Sequence, residues 1–305
     1  MTDKKAPKLA TEIGRLYRLG QKPLPYEGTV TTEVMMMLYL TNKYNIQSPE
    51  LEDIREDYKL FGLLKDNHSK RAEEPPRFCI WELDIDFDEK NRVIKSNASE
   101  YTNQLYWKLR ELIDANPGKK VICPFNAGFY LKGKVINGHI ETIIYDPALN
   151  ILEHVDSNNL PKQFARKAGT YSQYCLIKSG IVRNVAEMLD EQPVFVDNKD
   201  IYSGYAWGVQ SLEASSDLLS DQERLGYCLM WASLFADLAL AYPDYSMKEI
   251  VDTVMKKGDS ASNKHATVND YCLLIIRGYV VDISKKLGVD FMEKDSMHAA
   301  CVRLA

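Results

Sequence analysis

The stretch Gly138–Asn158, GHIETIIYDPALNILEHVDSN, decides how this chain is read. Apolar, largely β-branched residues stand on both sides of Asp146-Pro147-Ala148-Leu149, a turn-forming tetrapeptide. The pattern predicts a hairpin with a four-residue loop at 146–149, which pairs Tyr145 with Asn150. Partner numbers then sum to 295, and His139 faces Asp156. Directly opposed residues lie about 4.5–5.5 Å apart at Cα and share a face. A His and an Asp so placed can hydrogen-bond, and the carboxylate then fixes the imidazole tautomer and favours its charged form. His154, two residues before Asp156, points to the same face and replaces His139 as the base if the register slips.

Working outward, Lys119–Phe125, Gly128–Asn137, Ile140–Tyr145 and Ile151–Asp156 read as short strands of an antiparallel meander. Thr102–Ile113 precedes them as a helix stopped by Asn116-Pro117-Gly118. Residues 1–65 read as mostly helical, and Val30–Tyr44 is apolar on more than one side. Asn67–Arg77 is a polar linker, followed by a strand at Phe78–Phe87. Downstream, Phe164–Leu189 is mixed, Val185–Leu189 reads as helical, and Gln192–Val196 is a strand. Ser211–Arg224 carries four acids against one Arg and reads as a solvated loop. A helix follows from Gly226 to Tyr242-Pro243. Ser246 and Glu249 form a capping box at the start of the next, and Asn269–Lys286 is a last long helix. Strands flanked by helices without βαβ alternation make the class α+β.

Composition sets limits on function. The chain has 305 residues, 45% apolar and 27% charged, which excludes collagen-like, low-complexity and wholly disordered readings. A net charge of −5 argues against nucleic acid or an anionic membrane as partner. The longest apolar run, Tyr227–Tyr242, contains Asp237 and is too short to span a bilayer comfortably, so it reads as a core helix. The cysteines at 79, 123, 175, 228, 272 and 301 form no CxxC pair, and no Cys/His cluster has zinc-ligand spacing. The Met1 end lacks an apolar signal core, so free thiols in a reducing compartment are expected.

One cysteine stands apart. Cys228 falls in the first turn of a nearly all-apolar helix, where unpaired N–H groups and the macrodipole favour a thiolate. Gly226 just before it lets another part of the chain approach closely. Gln210 has a side-chain amide able to donate to a developing oxyanion, and Trp207 is placed to wall a substrate groove. Each also has a plain structural reading: a packed thiol, a surface amide, a core indole. The other five cysteines are expected to be packed thiols, and His68, His265 and His298 surface residues.

The chain order His139, Asp156, Gln210, Cys228 resembles clan CE cysteine proteases: SUMO/ubiquitin-like proteases, adenovirus-type proteases and bacterial effector deubiquitinases. The resemblance is carried by His139 through Val155-Asp156-Ser157. It is also carried by Gly226-Tyr227-Cys228-Leu229-Met230-Trp231, followed by Asp237-Leu238 and Tyr242-Pro243-Asp244. It spans roughly residues 119–245. It implies a papain-like, ubiquitin-like-protease fold, with an antiparallel sheet core, a buried helix carrying the nucleophile, and extra N- and C-terminal helices. It further implies a substrate-recognising region at 1–115 and a catalytic domain at 116–305.

By the same resemblance Cys228 is the nucleophile, His139 the base and then the acid, Asp156 its orienter and Gln210 the oxyanion donor. Trp207, Gly226 and Tyr227 would contact substrate. The activity implied is a cysteine isopeptidase or peptidase, without cofactor, acting on ubiquitin or a ubiquitin-like protein and its conjugates. The location implied is the cytoplasm or, for an effector, a host cell reached by a non-Sec route. Ile140 replaces the Trp that SUMO proteases often carry after the His, Leu229 replaces their Gly after the Cys, and Gln210 lies 18 residues before Cys228. Two other readings stand beside this one: an acetyltransferase effector of the same clan, and an inactive interaction module.

Overall fold

The computed structural model describes residues 6–22, 24, 26, 29–66, 83–90, 92–158, 169–205, 207–218, 227–260 and 267–305. The Asn67–Arg77 linker, residues 78–82 of the expected strand, Cys79, His68, His265 and Gly226 lie outside the described residues.

Among the described residues six strands form one sheet: β1 (Leu83–Phe87), β2 (Val93–Ser96), β3 (Val121–Leu131), β4 (Lys134–Asp146), β5 (Ile151–Val155) and β6 (Val194–Val196), in the order β2-β1-β3-β4-β5-β6. The β1/β3 and β5/β6 pairs are parallel and the rest antiparallel. The sheet is therefore mixed, and not antiparallel throughout as expected.

The four strands read between residues 119 and 156 are three. Gly128 and Gly138 face each other inside the β3–β4 ladder and do not turn the chain. The turn is at Lys132-Gly133, with φ of 52° and 73°, the left-handed pair that suits a two-residue hairpin loop.

The β4–β5 register also differs from expectation. Asp146 pairs with Ile151 and Thr142 with Val155, so partner numbers sum to 297 and not 295. Asp146 remains in the strand because its Oδ1 accepts from the N–H groups of Ala148 and Leu149, at 3.0 and 3.3 Å, which moves the loop one residue on. Asn150 closes that loop at φ 51°. His139 therefore does not stand directly opposite Asp156. The side-chain direction repeats every two residues, so this slip of two in the sum leaves every face unchanged.

The helices are α1 (Ala6–Leu19), α2 (Val30–Tyr44), α3 (Pro49–Asp66), α4 (Ala98–Ala115), α5 (Gly169–Met188), α6 (Asn198–Ile201), α7 (Val209–Glu213), α8 (Cys228–Ala241), α9 (Met247–Ser260), α10 (Val268–Leu287) and α11 (Lys294–Leu304). Alternate β3 and β4 residues (Val121, Cys123, Phe125, Ile143, Tyr145) pack with Leu105 and Leu109 of α4 and Ile181, Val182 and Val185 of α5. Ile122, Ile144 and Val155 point the other way and join a second core with α8 and the first and last helices of the chain. An α+β fold with both sheet faces covered results.

Two segments are more regular than the sequence suggested. Residues 169–188 are one helix, α5, whose buried stripe Tyr174, Lys178, Ile181, Val182, Val185 and Ala186 has three-to-four spacing. The polar run expected as a solvated loop begins inside α7, with Ser211, Glu213 and Ser216 all buried. Glu213 accepts a short hydrogen bond from the Trp231 indole, which accounts for an acid beneath α8.

The C-terminal helix expectation holds, with a Thr267/Asp270 capping box on α10 and Gly288 closing it at φ 62°. The Ser246/Glu249 box at α9 is also present. The additional helix α11 buries His298, expected at the surface, where its Nε2 lies 3.2 Å from Thr31 Oγ1.

The core runs across the expected division at residue 115. Leu9, Ile13 and Leu16 of α1 share a core with Ile275 and Tyr279 of α10, and β1 lies beside β3. α1 and α10 touch backbone to backbone. A Cβ on Gly20 would lie 1.8 Å from the Leu274 carbonyl oxygen, and one on Gly278 1.8 Å from that of Leu16. Arg15 then pairs with Asp282 at 2.8 Å. Among the described residues no helix is long and apolar enough to cross a membrane.

Candidate active site

The site forms where β4 outruns β5. β5 ends at Val155, while β4 carries Glu141 and His139 beyond that point. Asp156 follows β5 directly and is held from two sides. Its N–H donates to Asn198 Oδ1 at 2.8 Å, and its Oδ1 accepts from the Asn158 N–H at 2.8 Å. His139 Nε2 lies 2.7 Å from the same Oδ1. The predicted pair is thus made on a diagonal, within reach because the two side chains share a face.

α8 crosses the opposite face of the sheet, with Thr142 Oγ1 donating to the Ala232 carbonyl at 3.1 Å. Its first residue is Cys228, half-buried and hydrogen-bonded to His139. Since Asp156 takes Nε2, Nδ1 is the ring atom left for the thiol. Burial pushes the Cys228 thiol up, but the hydrogen bond and charge of His139, with the N–H groups of Ile140 and Leu229, hold it below the ordinary value. Burial alone would lower His139. The Asp156 carboxylate, its hydrogen bond and Cys228 outweigh that and bring His139 up to about 10. Asp156 is kept well below the usual carboxylate range, because Lys178 and His139 overcome the cost of burying it. The arrangement favours a thiolate–imidazolium pair backed by a carboxylate.

The rival His154 has another partner. Its Nε2 makes a short hydrogen bond with Glu141, and its ring packs on Phe125 at 5.4 Å between centroids. Gln210 sits in α7, and its carbonyl oxygen accepts from Ser157 Oγ at 2.9 Å, which fixes the amide plane. The Gln210 backbone N–H donates to the Ser157 backbone carbonyl at 3.0 Å. Gly208 permits this approach, since a Cβ there would lie 2.3 Å from the Ser157 carbonyl oxygen. Trp207 is half-buried two residues before α7. Tyr227 is buried and stacks on Tyr26 at 5.3 Å, so its ring braces the start of α8 from within and presents no face to a substrate. A small, mostly apolar crevice that includes Ile140 and Leu229, the residues after His139 and Cys228, is lined also by Met36, Pro124, Glu33 and Glu141.

Lys178 and Glu141 were not singled out from the sequence. The Lys178 ammonium makes a short contact with Glu141, lies 3.3 Å from Asp156 Oδ2, and sits 4.7 Å from the Tyr174 ring centroid. The one sequence signal was a lysine at a position of the α5 stripe that otherwise holds apolar residues. His139, Glu141 and Asp156 each offer a donor atom within 4.8 Å of the others, close enough to be considered for a metal ion. The Lys178 ammonium already bonds both carboxylates and supplies the positive charge there, so these three are not read as metal ligands. Of the expected packed thiols, Cys123, Cys272 and Cys301 are buried and Cys175 half-buried, and none of these four is in a disulfide.

No protein-family model, no curated protein and no solved structure matches this chain.

Proposed function

We propose that the chain is a cysteine isopeptidase or peptidase of papain-like type acting on ubiquitin or a ubiquitin-like modifier. The observation that carries the reading is His139, bonded at once to Cys228 at the start of a buried helix and to the Asp156 carboxylate. The modifier as substrate class rests on the resemblance of the His139–Ser157 and Cys228-helix segments to clan CE proteases.

In this mechanism the Cys228 thiolate attacks the scissile carbonyl carbon, and the carbonyl π electrons move to oxygen. The N–H groups at the start of α8 and the Gln210 amide are the donors suited to that oxyanion. As the C–N bond breaks, His139 gives its proton to the leaving amine, a lysine side chain in an isopeptide. His139, now neutral, takes a proton from water as the water adds to the thioester. The Cys228 sulfur leaves as thiolate, and the imidazolium is restored.

The test uses ubiquitin, SUMO and other modifiers bearing a carboxy-terminal electrophile, with Cys228→Ala as control. A covalent adduct that requires Cys228 supports the reading and names the modifier. Failure of every probe, with acetyl transfer from acetyl-CoA to a protein target, replaces it with the acyltransferase reading. Failure of both leaves a binding module.

A further inference from the structure

Glu141 and Asp156 are the next residues in line after the Thr142–Val155 pair, so the β4–β5 register brings two acids to opposed positions inside the protein. Both are buried, as is Lys178, 1% exposed. Two buried carboxylates this close cannot both stay ionised without a counter-charge. Lys178 supplies it, reaching from α5 to touch one oxygen of each. Its contact with Asp156 is to Oδ2, which leaves Oδ1 for His139. Glu141 Oε1 also lies 3.9 Å from His139 Nε2 and would compete with Asp156 for the imidazole if it were not tied down.

We propose that Lys178 is a positioning residue for the Cys228–His139 pair: its ammonium ties Glu141 down and leaves Asp156 bound to His139. The proposal rests on the reading of Cys228 and His139 as the reacting pair. Lys178 touches neither of them and acts through Asp156. The charged and titratable groups around it are His139 and Glu141 of β4, His154 of β5, Asp156 beyond β5, Tyr174 and Cys175 of its own helix, and Tyr101 of α4 near Glu141. Burial works against the charged lysine, but Asp156 and Glu141 outweigh it and keep Lys178 well above its ordinary value. The ammonium is thus a fixed charge over the whole working range.

The experiment follows alkylation of Cys228 by iodoacetamide against pH, read by mass spectrometry of the Cys228 peptide in the folded full chain. It compares the native chain with Lys178→Met, Lys178→Met with Glu141→Gln, and His139→Ala. Lys178→Met leaves the two carboxylates to share one imidazolium. It should slow alkylation at pH 7 about tenfold and move the profile toward that of an ordinary thiol, since one unit of pKa is a factor of ten in thiolate. Adding Glu141→Gln removes the uncompensated charge and should restore a native-like profile.

A Lys178→Met profile that superimposes on the native one overturns the proposal, and so does a double variant no better than the single one, which would mark lost packing. If Lys178→Met does not fold, Lys178→Gln, which keeps a polar end between the two carboxylates, takes its place: a slowed profile supports the proposal, and a native-like one overturns it. Should His139→Ala itself match the native profile, the Cys–His pair fails as a reading, independently of Lys178.

Discussion

Cys228 and His139 are shifted toward each other's charge, the thiol below its ordinary value and the imidazole up to about 10. Alkylation of Cys228 should therefore be fast at pH 7, where a free thiol of pKa about 8.5 is mostly protonated. Acyl transfer, which needs the imidazolium proton, should decline as pH rises through about 10. His139→Ala should slow adduct formation with the reactive modifier by about 10²–10⁴-fold, the range a positioned acid–base group contributes. His154→Ala should leave the adduct forming and lower the thermal midpoint, because it strips Glu141 of a buried partner. The reverse pattern would make His154 the base.

These two histidines also show what the sequence could tell. His139 and Asp156 were readable as a pair although the register was off, since a slip of two preserves the face. Cys228 was readable because the start of an apolar helix is marked by composition. Lys178 was not, because nothing in 169–188 says that a lysine on the buried stripe will meet two carboxylates from other elements.

At the scale of elements, strand ends and helix starts meet in the same places. Glu153 of β5 accepts from the Met247 N–H at the first residue of α9, at 3.1 Å, and its Oε2 has no hydrogen-bond partner among the described residues. Burial, with Asp146 and Glu249 nearby, outweighs the Met247 N–H and Lys120 and raises Glu153 from 4.5 to about 7. The folded protein holds this proton more tightly than the unfolded chain. Stability from this group is full below about pH 4.5 and is lost as pH rises to about 7, a total on the order of 3 kcal/mol. Glu153→Gln keeps the acceptor for Met247 and cannot ionise. Its thermal midpoint should fall less than that of the native chain between pH 5 and 8, and an equal fall would exclude Glu153 as the source.

Element types were mostly legible where local chemistry decides them, as in the Ser246/Glu249 capping box of α9. They were not legible where tertiary contacts decide. The parallel placement of β1 and β6, and the burial of Ser211 and Glu213, depend on partners distant in sequence.

At the scale of the molecule, α1 depends on two glycines. Gly278→Ala would put a methyl group into the Leu16 backbone, so α1 and α10 would have to move apart to take it. A loss of about 1–3 kcal/mol is expected for such overpacking, seen as a thermal midpoint lower by roughly 3–10 °C. Gly180→Ala in α5 is the control, because a Cβ there meets nothing within 4 Å. It should be neutral or raise the midpoint slightly, as Ala favours a helix over Gly by about 1 kcal/mol.

The same docking has a consequence for synthesis. Arg15 meets Asp282 and Thr31 meets His298, each across 267 residues of chain. At roughly 5–20 residues per second, a ribosome needs on the order of 13–50 s to make that much polypeptide. For that interval the apolar faces of α1 and α2 have been made but their partners have not. The apolar faces that α1 and α2 bury against α10 and α11 therefore stay open to water or to other chains until those two helices have been made.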